Sequence, residues 1–168
     1  NPVEVDVVVP VPDSGVPAAV GYSQFSGVPF ELGIIRNHYV GRTFIQPTQS
    51  VRELGVRMKH APNRAAIEGK RIILIDDSLV RGTTSKKIVR MMRDAGAKEV
   101  HFRLASPPIV NPDYYGIDLP DRGGLLAATH TIEEMREIIG ADSLAFLSID
   151  GMYRAMGFDG RDPANPKF

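Results

Sequence analysis

The chain has 168 residues, with 20 Lys and Arg against 20 Asp and Glu and no cysteine. That length suits one domain with a substantial core, and formal neutrality removes the electrostatic case for bulk nucleic-acid or anionic-membrane binding. The lack of cysteine excludes disulfides, thiolate metal sites and a cysteine nucleophile within these residues, and it suits a cytoplasmic protein.

Val5 to Val11, VDVVVPV, is almost entirely β-branched and apolar and reads as a central parallel strand. It ends in the turn Pro12-Asp13-Ser14-Gly15. A helix is expected from Val16 to Ser26, with Pro17 in its first turn and Gly27 stopping it. Phe30 to Ile35 reads as a short strand. Arg36 to Lys59 carries Arg36, Arg42, Arg52, Arg57 and Lys59 against Glu53, a net of +4. Gly41, Pro47 and Gly55 break any long element there, yet Tyr39, Val40, Phe44 and Ile45 are too apolar for a purely solvated loop. A flexible lid whose cations close on a polyanion fits both facts. Ala61 to Glu68 has helical propensity.

Arg71 to Lys87, RIILIDDSLVRGTTSKK, organises the rest. The apolar run Ile72–Ile75 reads as a buried strand of a parallel sheet. It ends in two adjacent carboxylates, Asp76 and Asp77, where ligands of open α/β sheets bind. Gly82 permits a tight turn. Thr83, Thr84 and Ser85 supply hydroxyls and N–H groups at a helix start, which binds anions. The acids repel a phosphate but suit sugar hydroxyls, a Mg²⁺ ion or a developing cation. Together these parts describe a ribose 5-phosphate carrying a metal-bound leaving group.

Ser85 to Ala95 is amphipathic, with Ile88, Met91, Met92 and Ala95 at helical spacing and Gly96 ending it. Val100 to Ala105 is the next strand. Ser106 to Pro120, SPPIVNPDYYGIDLP, is an irregular but structured excursion. Thr131 to Ile139 is a helix with the capping-box pair Thr131 and Glu134. Leu144 to Leu147 reads as a last strand, Ile149 to Met156 as a terminal helix, and Gly157 to Phe168 as a fraying tail. The histidines at 38, 60, 101 and 130 lack metal spacing and read as solvated or hydrogen-bonded; His38 and His60 lie on the lid. No P-loop, no dinucleotide fingerprint after a strand and no internal repeat is present. No apolar run is long enough to cross a membrane and no signal-peptide pattern opens the sequence.

The run Ile75-Asp76-Asp77-Ser78-Leu79-Val80-Arg81-Gly82-Thr83-Thr84 resembles the phosphoribosyl-pyrophosphate (PRPP) motif of the type I phosphoribosyltransferases. The wording DDSLVRGTTS, the PDSG turn and the segment NHYVGRTFI are similar to the glutamine PRPP amidotransferase family in particular, and the likeness runs from about Val5 to Met156. It implies a type I phosphoribosyltransferase fold: α/β, a mostly parallel central sheet with helices on both faces, and a flexible lid loop. It implies that residues 1–168 form a phosphoribosyltransferase domain, a piece of a longer protein without its N-terminal glutaminase domain. The nearness of the first strand to Asn1 leads to the same expectation of an excised piece.

The implied chemistry is displacement of pyrophosphate from PRPP by ammonia, the first step of purine synthesis. Glutamine is the ammonia source in the whole enzyme, so these residues at most use free ammonia. By resemblance Asp76 and Asp77 are catalytic, holding the ribose hydroxyls and steadying an oxocarbenium-like centre. Arg42 and Lys59, with Arg57, meet the pyrophosphate on lid closure. PRPP is expected to touch Asp13, Ser14, Gly15, Asp76, Asp77, Ser78, Val80, Arg81, Gly82, Thr83, Thr84 and Ser85. Mg²⁺ is expected on Ser14, Asp76 and Asp77, some through water. Some relatives place an iron–sulfur cysteine in a stretch like 106–120. Asp113 stands at that point, so no cluster is expected here. Homo-oligomers and feedback inhibition by purine nucleotides are further family traits; nucleic acid and membrane are not expected partners. The rivals are a phosphoribosyltransferase of base salvage, which needs a hood to stack a planar base, and a PRPP-binding regulator, which needs a basic surface or a DNA-binding module. A PRPP synthetase-like protein is disfavoured by the lack of an ATP motif.

Overall fold

Four apolar runs pair into one parallel sheet. They are β1 (Val7–Pro10), β4 (Arg71–Asp76), β5 (Glu99–Leu104) and β6 (Ser143–Phe146), in the spatial order β1-β4-β5-β6. The computed structural model describes residues 2–37, 60–113, 119 and 121–164. Both faces of the sheet are covered, which is why its strands are near-continuous hydrophobic runs rather than alternating ones. On one face Val7, Val9, Ile72, Leu74, Val100 and Phe102 meet Ile88, Val89 and Met92 of α3 (Thr83–Asp94) and Met135 and Ile139 of α5 (Ile132–Ile139). On the other, Val8, Ile73 and Ile75 meet Ala19 and Tyr22 of α1 (Val16–Ser26).

The β1–β4 register is pinned at its amino end by Asp6 and Arg71. The Asp6 carboxylate accepts the Arg71 N–H at 2.8 Å and Nη2 at 2.9 Å. These bonds hold the Asp6 carboxyl well below the usual carboxylate range. At β5 the second face turns polar. Arg103 Nη1 lies 2.9 Å from Ser143 Oγ, Ser143 Oγ 2.9 Å from His101 Nδ1, and His101 Nε2 3.1 Å from Glu99. His101 is thus a hydrogen-bonded histidine, as its sequence context indicates.

Helix α1 spans the residues expected, with a proline in its first turn and Gly27 at φ 74° ending it. The capping box of α5 is present: Glu134 N–H donates to Thr131 Oγ1 at 3.3 Å and Thr131 N–H to Glu134 Oε2 at 2.7 Å.

Three expectations need correction. The strand read over Phe30–Ile35 splits: Phe30 bridges Val8 in parallel, then β2 (Ile34–Arg36) leaves to pair antiparallel with β3 (His60–Pro62). The stretch from Ala61 begins in that ribbon, and only α2 (Arg64–Ile67) is helical, because Pro62 disfavours helix at the residue before it. The tail is bonded to the preceding helix over part of its described length. Phe158 N–H donates to Tyr153 O at 3.0 Å, its ring sits 6.0 Å from that of Tyr153, and Arg161 N–H reaches Asp150 at 3.1 Å.

A 3₁₀ turn (Arg122–Gly124) and α4 (Leu126–Thr129) were too short to signal by periodicity. The excursion from Ser106 holds no regular element among its described residues. The last helix, α6, runs from Ile149 to Ala155. Among the described residues no helix is long and apolar enough to cross a membrane. The lid residues Arg42, Arg57 and Lys59, and His38, lie outside the described residues. Arg36 and His60 on either side of that stretch are paired in register. Changing Thr131 to Ala is expected to lower stability by about 1 kcal/mol, read as a shift in the denaturation midpoint.

Candidate active site

The parallel register puts the carboxyl ends of β1 and β4 side by side, with Pro10 opposite Ile75. From there the two connections part: α1 packs on one face of the sheet and α3 on the other. A crevice outside the strand ends at such a divergence is where open α/β sheets bind ligands.

The turn after β1 lies flush against β4. A Cβ on Gly15 would stand 2.2 Å from the Ile75 carbonyl oxygen and 2.9 Å from that of Val11. Only glycine allows this approach. The turn is held there by Val11 N–H donating to Ile75 O at 2.8 Å and Gly15 N–H to Val11 O at 2.9 Å. The result is that Ser14 Oγ donates to Asp76 Oδ1 across 3.2 Å.

The two neighbouring acids occupy unlike environments. Asp76 is 8% exposed, and its Oδ1 also accepts the Asp77 N–H at 2.9 Å. Burial pushes its carboxyl up to about 7. The Asp77 N–H bond opposes that rise, the adjacent Asp77 carboxylate adds to it, and the Ser14 bond opposes it. Asp77 is exposed, and its Oδ1 accepts the Ser78 N–H at 2.8 Å.

Beyond them the loop is clamped from below. Leu79 is buried, and the Val80 carbonyl accepts the Leu126 N–H at 2.8 Å. Gly82 has φ 74°, a backbone conformation that calls for glycine, and a Cβ there would lie 2.7 Å from Leu126 Cδ2, which would have to shift. Helix α3 starts at Thr83, two residues before the expected start. Thr83 and Thr84 are exposed in its first turn, while the Ser85 side chain is buried. No side chain caps this end, which leaves it suited to an anion. Arg81 is exposed beside it.

Of the expected site residues, Ser14, Gly15, Asp76, Asp77, Ser78, Val80, Arg81, Gly82, Thr83 and Thr84 thus gather at one sheet edge. Asp13 is there too, but its carboxylate is taken by Arg36 in an ion pair. Arg36 had no sequence signal beyond its charge, because the pair spans 23 positions. Arg42 and Lys59 fall outside the described residues.

Among the described residues no group of three or more His, Cys, Asp or Glu could hold a metal ion. Ser14, Asp76 and Asp77 are nonetheless hard oxygen donors. Magnesium takes such a partial set and completes its octahedron with water and ligand oxygens. A separate groove of about 390 Å³, lined by Arg64, Lys87, Arg90 and Met91, shares none of the motif residues.

Residues 2–105 match the family model of the phosphoribosyl transferase domain. All of this chain aligns at 66% identity with 34% of an amidophosphoribosyltransferase of Rhizobium etli. A Bacillus subtilis enzyme of the same name is 56% identical over 92% of this chain and 33% of its own. Amidophosphoribosyltransferase 1, chloroplastic, of Arabidopsis thaliana is 58% identical over 96% of this chain and 28% of its own. Among solved structures, the B. subtilis glutamine PRPP amidotransferase complexed with ADP and GMP superposes with a TM-score of 0.84. It is 54% identical, over 96% of this chain and 35% of that one. The chain therefore spans about a third of the length of the curated relatives it matches.

Gly15→Ala is expected to cost about 1–3 kcal/mol, because the added methyl meets backbone rather than a movable side chain; chemical denaturation measures it. Asp76→Asn is expected to stabilise the fold above neutrality. Burial raises the folded carboxyl from the ordinary 3.8 to about 7, so wild type loses stability as pH rises through that window. The variant's gain should be several degrees in Tm near pH 8, about 1–2 kcal/mol, and shrink as pH falls toward 4. A gain independent of pH would refute the buried-charge account.

Proposed function

The chain belongs to the phosphoribosyl transferase family, and from that premise we propose that it transfers the 5-phosphoribosyl group of PRPP to ammonia. The products are 5-phosphoribosylamine and pyrophosphate, and the reaction opens purine nucleotide synthesis. The observation that carries this reading is the Ser14–Asp76 hydrogen bond. It joins the turn after β1 to the acidic end of β4, beside a helix start that no side chain caps. The names shared by relatives that align along this whole chain support the same reading. Residues 1–168 are, in this reading, the transferase domain of a longer chain. Its glutaminase part supplies ammonia from glutamine, and the domain by itself takes only free ammonia.

The 5-phosphate sits at the start of α3, gripped by the N–H groups of Thr83, Thr84 and Ser85 and the turn at Gly82. Ser78, Val80 and Arg81 wall the same loop. Asp77, exposed at the crevice, takes the ribose hydroxyls. With Asp76 it offers negative charge to the anomeric carbon as that carbon turns cationic. The Pro12–Gly15 turn receives the pyrophosphate end. Arg42 and Lys59, aided by Arg57, neutralise the leaving group and exclude water, whose attack would waste PRPP. Ser14, Asp76 and Asp77 hold magnesium. That ion, when bound, supplies charge neutralisation and orientation of the pyrophosphate.

Purine nucleotides are proposed as inhibitory ligands, in keeping with the ADP and GMP held by the B. subtilis structure. The proposed state is a homo-oligomer in the cytoplasm, although the Arabidopsis relative is named for the chloroplast.

Pyrophosphate release from PRPP and Mg²⁺ should require ammonium salt. Release that depends instead on a purine or pyrimidine base would replace this reading with base salvage. Asp77→Asn should lower kcat by about 10²–10³ while circular dichroism and the denaturation midpoint stay near wild type. A near-normal rate for the pure variant would remove Asp77 from the mechanism.

A further inference from the structure

We infer that Arg36 is a positioning residue: by engaging the Asp13 carboxylate it lets the Pro12–Gly15 turn accept a polyanion next to Ser14. The inference rests on the PRPP reading above. Arg36 is the last residue of β2, in a ribbon separate from the main sheet, and it crosses to the turn to pair with Asp13. The side chains are 40% and 57% exposed. Exposed pairs of this kind contribute little to folding, so the pairing needs another explanation.

Charge balance supplies one. Of the site residues named above, Asp13, Asp76 and Asp77 are acidic, whereas Arg81 and the Asp13 partner Arg36 are basic. The ligand is itself a polyanion whose pyrophosphate end meets the turn bearing Asp13. Asp13 adjoins Ser14, and its backbone carbonyl already receives Val16 N–H at 3.2 Å, so the residue cannot swing away without opening the first turn of α1. Left unpaired, its carboxylate would repel the incoming phosphates at short range. Arg36 cancels that charge. It acts through Asp13 and is not a catalytic residue.

The test uses the complete gene product carrying Arg36→Gln, Arg36→Lys, Asp13→Asn, and Arg36→Gln combined with Asp13→Asn, assayed by ammonia-dependent pyrophosphate release. At low salt Arg36→Gln is expected to raise KM for PRPP about tenfold, with kcat changed less than about threefold and the effect shrinking as salt rises. Arg36→Lys should restore most of the loss. In an Asp13→Asn background, Arg36→Gln should shift KM less than about twofold, because the charge to be cancelled is gone. An equal KM rise in both backgrounds would mean that Arg36 meets the ligand itself, and would overturn the inference. So would a loss of kcat and Tm with KM unchanged, which marks a merely structural residue. Wild-type protein that releases no pyrophosphate from PRPP overturns the underlying reading as well, and is seen before any variant is made.

Discussion

The candidate site depends on one close approach, that of the Gly15 backbone to the Ile75 carbonyl. The β1–β4 register is set at the amino end by the Asp6–Arg71 bonds. It is carried along four parallel residue pairs and ends with the turn after β1 pressed on the last turn-facing carbonyl of β4. A side chain at position 15 would push the turn away from β4, and the Ser14–Asp76 hydrogen bond would open. The divergence of α1 and α3 to opposite faces marks the strand ends above that contact as the place where open α/β sheets bind ligands. Charge, hydroxyls and an uncapped helix end are arranged around it because the register placed them there.

The two acids show how neighbouring residues of the same type come to differ. A strand alternates its side chains between faces, so at the end of β4 one carboxyl turns into the protein and the next into solvent. Asp76 is buried and its proton affinity rises accordingly. Asp77 stays exposed. Burial makes the negative charge of Asp76 costly in the unliganded protein, and a cation at the crevice would relieve that cost. Asp77 bears no such burden and is the better placed of the pair to meet a sugar. Sequence adjacency alone treats them as interchangeable.

Much of the architecture was legible because the signals were local. The apolar runs before Asp13 and before Asp76, Pro17 and Gly27 around α1, and Thr131 with Glu134 on α5 all act within a few residues. The motif residues from Asp76 to Thr84 were legible for the same reason. What escaped depends on contacts distant in sequence. Gly15 was read as a ligand residue, yet its smallness is set by Ile75, 60 positions away. The Arg36 partner of the Asp13 carboxylate lies 23 positions away and leaves no local signal. Ser85 stands in sequence beside Thr83 and Thr84, yet its side chain is buried within α3 while theirs are exposed. Pro62 is the local signal against a helix from Ala61.

The loop from Ser78 to Gly82 also relies on residues beyond the matched family segment. That match ends at residue 105, but Gly82 rests on Leu126, with Ile139 close behind it, and the Leu126 N–H fixes the Val80 carbonyl. Helix α4, a four-residue element with no periodicity to reveal it, therefore acts as the buttress of the loop. Gly82 keeps a positive φ that side chains disfavour, and the Leu126 side chain packs against the place where a Cβ would stand. The two constraints are reciprocal: a larger residue at 82 clashes with Leu126, and a smaller one at 126 leaves the loop floor unfilled at a cost set by the cavity that remains. The geometry of the turn at Gly82 is thus shared with α4 and α5, which pack beneath it.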